Sequence, residues 1–244
     1  MKVTVIGPWG GYPKSGGASA SYIFEKDDFL LMVDAGSASL SKLQERHDIM
    51  DIDAVIISHY HADHIADIGV IQHARLVHAH VTGEEGILPI YGHREDLDEF
   101  EKLSHDFTEG VAYDPEKALQ IGPFTITFLK TVHSVPCYGM RITDGKTEVV
   151  FTADTAYQEE WIDFSRGADL LIVDCNFYEG QNASEAGHMT SEEGARIADK
   201  AAVKELMLSH LPQFGDPAKL VQEAEKYFQG KIFLAKEGLT WAKQ

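Results

Sequence analysis

A chain of 244 residues with 44% apolar content is long enough to bury a sizeable core, which excludes an intrinsically disordered protein. A net charge of −18 at pH 7 repels a polyanion and counts against a long nucleic-acid partner unless cations gather at one place. The longest apolar runs, such as Phe29-Leu30-Leu31-Met32-Val33, fall far short of the ~18 residues of a membrane span, and Cys137 and Cys175 alone make no disulfide framework, so a soluble, unprocessed cytoplasmic protein is expected.

From the N-terminus, Val3 to Gly7 reads as a strand, followed by a Gly- and Pro-dense surface loop, Pro8 to Gly17, carrying Trp9 and Tyr12. Ala20 to Phe24 and Phe29 to Val33 read as strands, the second ending in Asp34-Ala35-Gly36. Ser39 to Arg46 predicts a helix, Ala54 to Ile57 a short buried strand ending in Ser58-His59, and Ile65 to His80 and Glu95 to Leu103 two further helices. From Phe124 a similar order begins again. Strands are predicted at Phe124 to Leu129, Tyr138 to Ile142 and Val149 to Thr152, the last leading to Asp154. A helix around Glu159 to Phe164, the strand Leu170 to Val173, a helix opened by Thr190-Ser191 with Glu192 and Glu193, and the strand Leu206 to Leu208 ending in Ser209-His210 follow. A last amphipathic helix after Asp216-Pro217 and the strand Lys231 to Ala235 close the chain. Both parts contain a β-run ending in Asp (Asp34, Asp154), then a helix, then an apolar strand ending in Ser-His. This pattern predicts two related halves, about 1–120 and 121–244, packed sheet against sheet with helices outside, in one domain over 1–244.

The densest chemical signal is His59-Tyr60-His61-Ala62-Asp63-His64, directly after an apolar strand. On an extended strand end residues i and i+2 point the same way, so His59 and His61 can share one ion, while Asp63 and His64 turn into the next helix and face a second. Imidazole and carboxylate donors without thiolates suit two divalent cations, Zn²⁺ favoured and Mn²⁺ next, in an open site. Further donors stand at strand ends in the second half. The reading assigns His59, His61 and His133 to one ion, Asp63, His64 and His210 to the other, and Asp154 to both. Water held between two such cations becomes a hydroxide nucleophile near neutral pH.

These motifs resemble the metallo-β-lactamase superfamily, and within it the branch of ribonuclease Z and related phosphodiesterases. The resemblance runs through Val5-Ile6-Gly7, Ser19-Ala20-Ser21-Tyr22, Leu31 to Gly36, the His59 to His64 hexapeptide, Phe151-Thr152-Ala153-Asp154-Thr155, Gly187-His188-Met189-Thr190 and Leu208-Ser209-His210. It implies an α/β fold, a four-layer αββα sandwich, and makes a homodimer plausible. It also implies that His188 reaches the substrate phosphate and protonates the leaving group, and in the mechanism expected here Asp63 orients or deprotonates the nucleophile. Ribonuclease Z proteins that process transfer RNA usually carry a long arm between the metal-binding His and the bridging Asp, and only 20 residues separate His133 from Asp154. With the acidic charge, this points to a small phosphodiester: a cyclic nucleotide, a cyclic ribose phosphate or a short RNA. Two alternatives stand beside it. One is an acyl-homoserine-lactone or thioester hydrolase, for which Tyr157 speaks, and the other is a non-catalytic metal-binding scaffold.

Other residues have plainer readings. Arg141 and Lys130 are phosphate candidates but are expected to be solvated surface charges, and Trp9 and Tyr12 either stack on a base or pack their own loop. His47, His73, His78, His80, His93 and His105 are expected to face solvent, the acidic run Glu95 to Glu101 to be a solvated helix face, and both cysteines to be unreactive.

Overall fold

Strands that are apolar at every position, as from Leu30 to Val33, need cover on both faces, and two sheets packed on each other with helices on both outer sides supply it. The computed structural model describes residues 1–83 and 86–243. In chain order come β1 (Lys2–Gly7), β2 (Ser21–Lys26), β3 (Phe29–Val33), α1 (Ser39–Leu43), β4 (Ala54–Ile56), α2 (Ala62–Ile65), α3 (Ile68–Thr82), β5 (Leu88–Gly92), α4 (Leu97–Glu101) and β6 (Thr108–Ala112). There follow β7 (Leu119–Ile121), β8 (Phe124–Lys130), β9 (Tyr138–Thr143), β10 (Glu148–Phe151), α5 (Glu160–Phe164), β11 (Leu170–Asp174), α6 (Ser191–Lys200), β12 (Glu205–Ser209), α7 (Ala218–Ala224), β13 (Lys231–Leu234) and β14 (Thr240–Ala242).

One sheet has the order β14-β1-β2-β3-β4-β5-β6 and the other β13-β12-β11-β10-β9-β8-β7. Each begins with antiparallel pairs and continues parallel, from β3 to β6 in one and from β10 to β13 in the other. The expected two-half sandwich is therefore present, with one correction at its seams. β7 already belongs to the second sheet, and β14 returns to pair with β1, so the chain's last strand closes the first half.

Side chains alternate along the strands as this layering requires. Leu31 and Val33 of β3 join Phe124, Ile126, Met140 and Ile172 between the sheets. Leu30 and Met32 of the same strand pack outward with Leu40, Leu43, Ile68 and Ile71 of α1 and α3. On the far side Val150, Leu171, Val173 and Leu208 pack against Trp161, Ile197 and Leu220. α6 starts as expected, with a reciprocal cap in which Thr190 Oγ1 accepts from Glu193 N and Glu193 Oε2 accepts from Thr190 N.

Four strands lack a clear sequence signal. β6, β7 and β14 are sheet edges with exposed positions, and β5 carries Pro89, so none shows the unbroken apolar run of a central strand. The helix expected from Ile65 to His80 is two helices, broken around Asp67, whose carboxylate accepts from Ala38 N and Leu40 N and so ties the break to the start of α1. Among the described residues no helix is long and apolar enough to cross a membrane.

Candidate metal centre

The ends of β3, β4, β10, β11 and β12 converge on one edge of the sandwich, and their sharp exits aim polar side chains into a shared cleft. Asp34, Ala153 and His210 leave their strands at φ of 57°, 52° and 51°. This left-handed conformation is uncommon for residues with a Cβ and persists where the surroundings hold it. His59 follows β4, His61 is the extended residue preceding α2, and Asp63 and His64 occupy the turn of α2 itself. The hexapeptide thus divides between an extended segment and a helix, as its spacing predicts.

Two groups of donors result. His59, His61, His133 and Asp154 each offer an atom within 4.8 Å of the others, and so do Asp63, His64, Asp154 and His210. His61 Nδ1 lies 3.2 Å from His59 Nε2 and 3.0 Å from His133 Nε2. In the second group His210 Nε2 lies 3.4 Å from His64 Nε2 and 3.2 Å from Asp63 Oδ2. Nitrogen ligands at about 2.0–2.1 Å from one tetrahedral zinc stand about 3.3–3.4 Å apart, so these spacings match donors gathered around a cation. Asp154 divides its oxygens between the groups. Oδ1 is 3.1 Å from His64 Nε2 and 3.2 Å from His210 Nε2, while Oδ2 is 3.7 Å from His59 Nε2 and 3.8 Å from His133 Nε2.

Asp154 Oδ1 is buried and, although two imidazole nitrogens stand 3.1 and 3.2 Å away, no described residue meets it in hydrogen-bond geometry. A buried carboxylate oxygen left in this state is costly, and a cation shared with the surrounding nitrogens relieves the cost. The donor set therefore fits divalent metal.

Outer partners set which nitrogen of each ring faces inward. His59 Nδ1 meets Ser58 Oγ at 3.0 Å, His64 Nδ1 meets Asp34 Oδ2 at 2.7 Å, and His133 Nδ1 donates to Gly187 O at 3.0 Å. Each leaves Nε2 for the cleft. Gly187 sits at φ 73°, and a Cβ there would come within 2.8 Å of His133 Nδ1, so this contact needs a glycine. Asp63 is held from outside the hexapeptide, by Gly11 N donating to Oδ2 at 2.6 Å. Burial works against the charge on Asp63, but hydrogen bonding to His210 and the nearby His64 outweigh it and hold the carboxyl far below its usual range. On His64 burial is likewise outweighed, by Asp154 and Asp34, and its pKa stands well above 6.5. Asp34→Ala is expected to weaken metal binding by about 10–100-fold through loss of ring orientation, measured by competition with a chromogenic chelator.

A third group lies beside the first two. His188 Nδ1 pairs with Asp174 Oδ2 at 2.8 Å, and Asp174 Oδ1 stands 3.5 Å from His210 Nδ1. Asp174 is buried at the end of β11 and also accepts from Thr155 N at 3.1 Å. Burial pushes the His188 imidazole down, but the charge and hydrogen bond of Asp174 prevail and raise its pKa above 6.5. The His188 ring stacks on the His210 ring at a centroid distance of 5.1 Å, and its side chain remains 16% exposed at the cleft's edge.

Residues 31–211 match the Beta-lactamase superfamily domain. The chain belongs to the β-lactamase superfamily. Among similar proteins, the probable metallo-hydrolase YhfI of Bacillus subtilis is 52% identical over 242 residues, which cover 99% of each chain. The crystal structure of YhfI superposes with a TM-score of 0.97 at 51% identity over 98% of both chains. Ribonuclease Z of Metallosphaera sedula is 25% identical over 285 residues, covering 93% of this chain and 94% of that one. The human tRNase Z short form shares the fold at a TM-score of 0.78, with 18% identity over 99% of both chains.

All eight side chains singled out from the sequence meet in this cleft: His59, His61, Asp63, His64, His133, Asp154, His188 and His210. Two carboxylates that orient them were not assigned to the site from sequence. Asp34 served as a mark of the internal repeat and as part of a resemblance motif without a role in the site, and Asp174 was passed over although it ends an apolar strand as Asp34 follows one. Of the plainer readings, His93 is corrected. It is buried, with its ring beside Tyr60, Tyr113 and Tyr138, because β5 delivers it to the space between those side chains. Lys130 pairs with Glu95 at 2.7 Å, and Arg141 is held by Glu148 and the Phe164 carbonyl. Tyr157 is half-buried and packs on the helix-side core of the second sheet. Both thiols are fully buried, which raises their pKa well above the usual range.

Proposed function

We propose that this chain is a metal-dependent hydrolase of small phosphodiesters, with two divalent cations, zinc favoured, held by His59, His61, His133 and Asp154 and by Asp63, His64, His210 and Asp154. The cations, when bound, supply an acidified water and positive charge opposite the phosphoryl oxygens. The chain's own groups do the rest. Gly11 N–H holds Asp63 in place to orient the attacking water. His188 carries a proton on the edge of the cleft and gives it to the departing alkoxide oxygen as the P–O bond breaks, and Asp174 holds the ring in position and stabilises its charged form. Exposure of His188 to solvent lets it recover a proton after each turnover.

The observation that carries this reading is the 2.8 Å His188–Asp174 pair beside the seven clustered donors. An alkoxide leaving a phosphodiester needs a proton from such a group, whereas a thiolate leaving a thioester on the same donors does not. Similarity to YhfI supports hydrolysis, and similarity to ribonuclease Z of M. sedula supports a phosphodiester. The test is turnover of bis(p-nitrophenyl) phosphate by protein reconstituted with Zn²⁺ or Mn²⁺, run beside an acyl-homoserine lactone. Diester turnover that a chelator abolishes and added metal restores is expected. Lactone turnover with no diester turnover would overturn the reading.

A further inference from the structure

Among the exposed large apolar side chains of the described residues, two are aromatic: Tyr12 at 54% and Phe214 at 76% exposure. Both stand on loops that hold the second donor group. Tyr12 follows Gly11, whose N–H lies 2.6 Å from Asp63 Oδ2, and Phe214 comes four residues after His210. Gly10 lies so close to the His210 ring that a Cβ there would come within 2.5 Å of Nδ1, so this loop forms one wall of the cleft.

The loops are also tied to each other. Gln213 Nε2 donates to the Tyr12 carbonyl at 2.6 Å and to the Gly10 carbonyl, Gly10 N donates to Leu211 O at 3.2 Å, and Tyr178 Oη donates to Phe214 O at 3.0 Å. Two aromatic side chains are thus exposed on loops whose backbones are tied to each other beside Asp63 and His210. Trp9, on the same loop, is already engaged, with Nε1 donating to Glu237 at 3.1 Å and Lys14 over its ring. Lys130 and Arg141 are paired with Glu95 and Glu148. In a chain with a charge of −18, uncharged contacts are a source of substrate affinity beyond the cations and His188. Stacking on aromatic side chains is such a contact, and it tolerates any base.

We infer that Tyr12 and Phe214 form a stacking subsite for the base of a nucleoside phosphodiester whose phosphorus lies at the donor cluster. The inference rests on the phosphodiester reading and narrows it to substrates that carry a nucleoside.

The experiment compares two diesters with one leaving group, the p-nitrophenyl ester of thymidine 5′-monophosphate and methyl p-nitrophenyl phosphate. Wild-type protein is expected to show a KM about tenfold lower for the thymidine ester, and Y12A/F214A to bring the two KM values together. Y12F/F214Y, which keeps both rings, is expected to retain the preference. Calorimetric titration with thymidine 5′-monophosphate should show the same loss of affinity in Y12A/F214A. A preference unchanged in Y12A/F214A, or no preference in wild-type protein, overturns the subsite while leaving the phosphodiester reading intact. Turnover of neither diester by metal-loaded wild-type protein removes both.

Discussion

Asp154→Ala is expected to lose bound metal and diester hydrolysis together, with activity falling by a factor of about 10³ or more because both donor groups lose a shared anionic ligand. The reason lies in how one carboxylate is placed. Its Oδ1 stands near His64 and His210 and its Oδ2 near His59 and His133, and among the described residues it is the one that belongs to both donor groups. Removing it leaves five imidazoles, those of His59, His61, His64, His133 and His210, and the Asp63 carboxylate as the assigned ligands. Metal content by plasma emission and turnover on the same samples measure the effect. Two ions retained at full occupancy with activity lost would mean that Asp154 acts on the substrate and not on the metals. Because the residue is buried, Asp154→Asn provides a variant of the same shape, and a melting curve for each shows whether the loss is local.

His188→Ala is expected to behave differently. Bound metal stays at the wild-type level, since His188 is outside both assigned donor groups, while hydrolysis of a diester with an alkoxide leaving group falls by about 10²–10⁴-fold. The leaving group decides the size of the effect. p-Nitrophenolate departs without a proton, so bis(p-nitrophenyl) phosphate should be cleaved by His188→Ala at close to the wild-type rate, and a dialkyl or ribose diester should not. Asp174→Asn should follow His188→Ala in this dependence with a smaller loss, because it keeps the imidazole but withdraws the charge that holds its proton. Equal losses on both kinds of diester would assign His188 to substrate binding.

Much of this cleft was legible before any fold was known. Three histidines and an aspartate within six residues, placed after an apolar strand, are a local signal, because strand periodicity alone sends His59 and His61 to one side and the following turn redirects Asp63 and His64. His133, Asp154 and His210 were legible for a related reason, since each follows an apolar run and strand ends on one edge of a sandwich converge. The layering was legible too, through strands apolar at every position that demand cover on two faces.

The sequence by itself determined the donor types, their strand-end positions and the two-sheet layering, which follow from local periodicity and residue chemistry, and its motifs implied the αββα class through the family they resemble. Only the tertiary structure decided which groups hold those donors in place. Asp34 reaches His64, Asp174 reaches His188, Gly187 reaches His133 and Gly11 reaches Asp63 across 30, 14, 54 and 52 positions of the chain. Such pairings leave no periodic trace. The burial of His93 and the edge strands β6, β7 and β14 were hidden in the same way, because an edge strand is covered on too few sides to need a continuous apolar run, and a histidine becomes a core residue only when three tyrosines from distant segments close around it.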